Sequence, residues 1–99
     1  MDDEPLAGTR GTYRSAINEY VLNEIVFNGP TSAIELWNNG APHSHGALSK
    51  ALRRLRARDL LTVEEVVTET IPRVVRRKNY TLTTTGRELA NSWGITDED

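Results

Sequence analysis

Around Leu60 the apolar residues change period, and this limits the folds open to the chain. Up to Arg58 they recur at helical spacing. Ile17, Val21 and Ile25 lie four apart, flanked by Tyr20 and Phe27, and predict a helix over 13–28 that stops at Asn28-Gly29-Pro30. Thr31 suits the cap of a second, short helix with Ala33, Ile34, Leu36 and Trp37 on its apolar side, ended by Asn38-Asn39-Gly40-Ala41-Pro42. Leu48, Ala51, Leu52 and Leu55 predict a third helix from Pro42 or His43 to Arg58. From Leu61 the chain is rich in β-branched residues. Strands are expected over 61–67 and 74–82 around a hairpin tip at 68–73. Thr83 then caps a last helix through Trp93, with Leu89 and Trp93 one turn apart.

This order gives the fold class: mainly α with a small β-hairpin. Two helices joined by a short Gly-containing turn make a helix-turn-helix, and the hairpin after the third helix makes it winged. The winged helix-turn-helix is expected over 13–93, between an acidic flexible arm at 1–12 and an acidic tail at 94–99. Ninety-nine residues are one domain's worth. Without cysteine the chain forms no disulfide and no thiolate metal site, which fits a cytoplasmic protein. No apolar run approaches the ~18 residues of a membrane span. The start, Met1-Asp2-Asp3-Glu4-Pro5, lacks the basic and apolar stretches of a secretion signal.

The net charge of −2 is unevenly spread. Residues 1–41 carry two arginines against six acids, −4; residues 42–87 carry ten lysines and arginines against four acids, +6; residues 88–99 carry four acids, −4. A basic centre of this kind attracts phosphate even in an acidic molecule, although a merely solvated charged surface has the same composition.

Three stretches resemble the winged helix-turn-helix transcriptional regulators of the MarR, PadR and HxlR kind. Gly29-Pro30-Thr31-Ser32-Ala33-Ile34-Glu35-Leu36 is similar to the start of their second helix. The run from Leu48 to Leu61 resembles their recognition helix and its exit, and Tyr80 to Leu89 their second wing strand running into the closing helix. The Asp-x-Arg signature of MarR-like wings is missing, as are the long terminal helices on which those proteins pair. The resemblance implies binding of double-stranded DNA and regulation of transcription.

In that reading the third helix enters the major groove, where Arg and Lys donate to guanine O6 and N7. On the face opposite its apolar stripe stand His43, Gly46, Ser49, Lys50 and Arg53, with Arg54 at the edge. Lys50 and Arg53 are the principal candidates. The wing supplies Arg73, Arg76, Arg77 and Lys78 for backbone or minor-groove contact, with Arg73 beside Pro72 at the tip. Arg56 and Arg58 either complement the helix dipole or touch DNA. His43 and His45, two residues apart, do not share a helical face and have no third ligand nearby, so DNA contact by His43 and packing by His45 outweigh metal binding.

Trp37 and Trp93 read as core, or with Tyr13, Tyr20 and Leu89 as the contact of a homodimer on a pseudo-palindromic site. No nucleophile elbow, Gly-rich phosphate loop or metal-ligand set is found, so the chain reads as no enzyme and no cofactor is expected. The expected partners are double-stranded DNA and a second copy, with no membrane. The alternative is a winged-helix module that binds another protein of a replication, partition or transcription complex. Such a module would expose apolar residues on the third helix or the wing.

Overall fold

A computed structural model describes residues 14–70 and 73–96, with the side chains of 68–70 and 73–76 excepted. The expected arm at 1–12 and residues 97–99 of the tail lie outside the described residues. The element order is α1 (Ala16–Asn28), α2 (Ala33–Asn38), α3 (His45–Ala57), β1 (Leu61–Thr70), β2 (Arg73–Leu82) and α4 (Thr84–Ser92). This is the mainly helical winged helix-turn-helix that the periodicity predicts.

Among the described residues hydroxyl caps fix all four helix starts, and three of the four lie later than expected. The Ser15 hydroxyl accepts from Asn18 N–H at 3.2 Å and begins α1. Ser32, not Thr31, caps α2, accepting from Glu35 N–H at 3.2 Å. Ser44 starts α3 two residues beyond Pro42, accepting from Ala47 N–H at 3.1 Å. Thr83 caps α4 as predicted, accepting from Gly86 N–H at 2.9 Å. Each oxygen satisfies an amide that the helix start would otherwise leave unpaired.

Thr31 is released from capping because its backbone pairs elsewhere. Tyr80 N–H donates to the Thr31 carbonyl at 2.7 Å, and Thr31 N–H donates to the Tyr80 carbonyl at 3.1 Å. This antiparallel bridge lays the segment before α2 along β2. On its other side β2 pairs with β1 over the full length, from Leu61 opposite Leu82 to Thr70 opposite Arg73. The strands thus reach into the segment expected to be the hairpin tip, of which residues 71–72 lie outside the described residues.

The core lies where α1, α3, α4 and the root of the hairpin meet. Val21, Leu22, Leu48, Leu52, Leu55 and Leu61 are buried there, so the third-helix stripe faces inward as its spacing requires. Gly86 sits against the Leu60 carbonyl with no room for a Cβ. That carbonyl also accepts Thr83 N–H at 3.1 Å. The packed structure continues past Trp93. Gly94 takes a φ of 81°, Ile95 N–H returns to the Ala90 carbonyl at 2.8 Å, and the Ile95 side chain is buried. A left-handed glycine followed by an apolar residue that folds back is a common helix end.

Candidate nucleic-acid interface

Burying Leu48, Ala51, Leu52 and Leu55 turns the other side of α3 outward. Lys50, Arg53 and Arg54 are exposed there, and Ser49 is half-buried at the margin. Arg53 Nη1–H donates to Ser49 Oγ at 3.1 Å, one helical turn back. Arg56 and Arg58 are exposed at the C-terminal end, where Arg58 is the C-cap. Their positive charges complement the carbonyl end of the helix dipole.

The second wall of the site is β2. Arg77 and Lys78 are exposed, opposite Val66 and Glu65 in the strand register. Arg73 and Arg76 belong to the same strand, but their side chains lie outside the described residues. Between α2, α3 and the outer edge of β2 runs an open groove of about 370 Å³. Its apolar lining comes from Ala33, Ile34 and Leu52, and His45, Ser49, Arg77 and Lys78 bring polar groups to it. The Thr31–Tyr80 bridge ties its α2 wall to its β2 wall.

Sequence spacing brings together Ser49, Lys50 and Arg53. It misses Glu35, whose carboxylate lies 3.7 Å from Arg77 Nη1, both side chains being about half exposed. Glu35 also accepts from the Ser32 hydroxyl at 3.4 Å, so one carboxylate joins the cap of α2 to a wing cation. The Ser-x-x-Glu spacing announces the cap. Nothing local announces the wing partner.

The histidines separate from one another. His43 precedes α3 and is half-buried, its ring 5.7 Å from that of Tyr20. His45 lies edge-on to Trp37 at 6.2 Å and lines the groove. Among the described residues no three histidines or carboxylates gather as a metal site would require.

The aromatic expectations change. Trp37 is no core residue, being 51% exposed. Helix α2 has only six residues, and it turns Leu36 inward instead. Leu89 is buried in the core and Trp93 is partly buried against it, so neither offers the free apolar patch expected of a dimer contact. The Arg14 guanidinium covers the Trp93 ring at 5.5 Å and donates to the Trp93 carbonyl at 2.9 Å. Tyr13 lies outside the described residues. Among the described residues the exposed aromatic ones are Trp37 and, on α1, Phe27.

No helix among the described residues is long and apolar enough to cross a membrane. No protein-family model matches the sequence, and no curated protein does. Among solved structures the chain is similar to Bacillus subtilis PadR, determined in complex with operator DNA, with a TM-score of 0.64 and 17% identity. The match covers 88% of this chain and 51% of the PadR chain, so the present chain spans about half the length of that protein. At this identity the likeness is one of fold: the winged helix-turn-helix built here from capped helices and a paired wing is that of PadR.

Proposed function

We propose that this chain is a double-stranded DNA-binding module of a transcriptional regulator, with α3 in the major groove and the wing on the backbone or minor groove. One observation carries the reading. Arg77 and Lys78 of β2 line one groove with Ser49 of α3, the exposed Arg53 bonds that Ser49, and Lys50 and Arg54 are exposed on the same helix, although the molecule as a whole is acidic. Major-groove readers divide their contacts between base edges met by a helix and phosphates met by surrounding cations. The fold shared with PadR, which was solved on operator DNA, supports the same reading. Lys50 and Arg53 take the base-edge role, with Ser49, Arg54 and His43 beside them. Arg73, Arg76, Arg77 and Lys78 take the backbone role. The working form is a homodimer in the cytoplasm, since one winged helix covers too few base pairs to select a genomic site. No catalytic role is assigned to any residue.

A titration of duplex DNA against salt tests this. Six or more phosphate contacts across a dimer lower the affinity roughly 10³-fold between 50 and 200 mM salt. Selection of bound fragments followed by sequencing then gives the preferred site. A flat salt response favours the second reading, a protein-docking module, for which the wing offers the exposed Val67.

A further inference from the structure

On the exposed face of α3 a neighbouring hydroxyl holds the Arg53 guanidinium, that of Ser49 at 3.1 Å. We propose that Ser49 is a positioning residue, which fixes the direction in which Arg53 presents its remaining donors to a base edge; this rests on the DNA-binding reading above.

The argument starts from the freedom of an arginine. On an exposed helix face its side chain samples many rotamers, and ordering it on a ligand costs up to ~2 kcal/mol of rotamer entropy. A partner that orders it beforehand lowers that cost. Ser49 is placed to do so. Four residues earlier, it lies one turn nearer the start of α3, the direction in which helical side chains lean. It is half-buried at the groove margin.

The chemistry of the partner matters too. A carboxylate, as in the Glu35–Arg77 pair, opposes the charge it holds. A hydroxyl takes one of the five guanidinium N–H groups and leaves the charge and four donors in place. Two of those suffice for a bidentate contact with guanine O6 and N7. The N-terminal part of a recognition helix is the part that meets base edges, and the bond draws the Arg53 head toward that end.

The test compares the affinity for the selected duplex with that for a scrambled duplex, by fluorescence anisotropy at fixed salt. Ser49→Ala retains the helix, since alanine is the better helix former, and leaves the net charge unchanged. It is expected to lower the selected-to-scrambled ratio roughly fivefold, the worth of one hydrogen bond. Ser49→Thr restores the ratio. In an Arg53→Ala background Ser49→Ala changes nothing further. If the two changes add instead, Ser49 acts on DNA by itself and the proposal is overturned.

A second measurement needs no DNA. Side-chain 15N relaxation at Arg53 Nε should show an ordered group in the native protein and a mobile one in Ser49→Ala. Equal mobility in both overturns the proposal while leaving the DNA-binding reading intact. An ordered Arg53 in a protein that prefers no duplex overturns the reading, and the base-reading role with it.

Discussion

The carbonyl oxygen of Leu60 occupies the space that a side chain at position 86 would need, so Gly86 in the first turn of α4 is held there by contact. Intrinsic propensity favours alanine over glycine in a helix by about 1 kcal/mol. Here the overlap is with backbone and cannot be relieved by rotating a side chain. Gly86→Ala is therefore expected to destabilise the fold by about 1–3 kcal/mol, as overpacking does. Gly46→Ala in α3, where a Cβ meets open space, is expected to be neutral or to stabilise by up to about 1 kcal/mol. Thermal melts of the two variants should move in opposite directions, or at least differ by several degrees.

Thr83 closes the same corner from the other side. Its hydroxyl accepts from Gly86 N–H and donates to the Asp59 carbonyl at 2.7 Å. Thr83→Ala loses both bonds and should cost about 1–2 kcal/mol. Thr83→Ser should retain most of the stability. Urea titrations with an unchanged slope would show that the loss is one of stability alone.

Burial raises the phenol pKa of Tyr20 above its usual 10.0, and the charge of Glu24 adds to the rise. For an acid whose folded-state pKa is raised, the stabilising contribution is complete below the unfolded value. It is lost as pH rises through the folded value. The protein should therefore lose stability above about pH 10. Tyr20→Phe should remove that part of the alkaline loss, which a series of melts between pH 8 and 11 would read.

At the acid end Glu19 behaves in the opposite sense. Its carboxyl lies below the usual 4.5 because Arg14 hydrogen-bonds it, at 3.1 Å for the shorter contact, although burial acts slightly the other way. Its contribution is present above the unfolded pKa and fades as pH falls below about 4.5 through the folded value. The pair is exposed, so Glu19→Gln should change the melting temperature little at pH 7 and slightly flatten the acid limb.

On the DNA-binding reading, Arg53→Ala should weaken the selected site by about 1–3 kcal/mol and relax its preference. Lys78→Ala should weaken all duplexes alike and lower the salt slope by about 1. Glu35→Gln should tighten binding, because it frees Arg77 and removes a carboxylate from a surface that meets phosphate. Anisotropy titrations at three salt concentrations would separate the three behaviours.

The sequence made legible what is periodic or local. Leu48, Leu52 and Leu55 show the buried side of α3 because four-residue spacing and burial are the same fact. Ser49 and Arg53 show their neighbourhood in the same way. Thr31 and Ser32 are both good caps, and what chooses between them is the pairing of Thr31 with Tyr80, which no local pattern contains. Glu35 and Arg77 meet through the same distant pairing. Trp37 reads as core by its chemistry, yet α2 is too short to bury more than the residue beside it.

The bridge between Thr31 and Tyr80 has a mechanical consequence. Two backbone hydrogen bonds yoke the turn before α2 to the wing, and α2 packs on α3, so both walls of the groove share one stiff frame. Widening or narrowing the groove strains those two bonds. On the DNA-binding reading the adjustment falls to the duplex, which must bend or change its groove width. Base steps that never touch the protein would then influence affinity through how easily they deform.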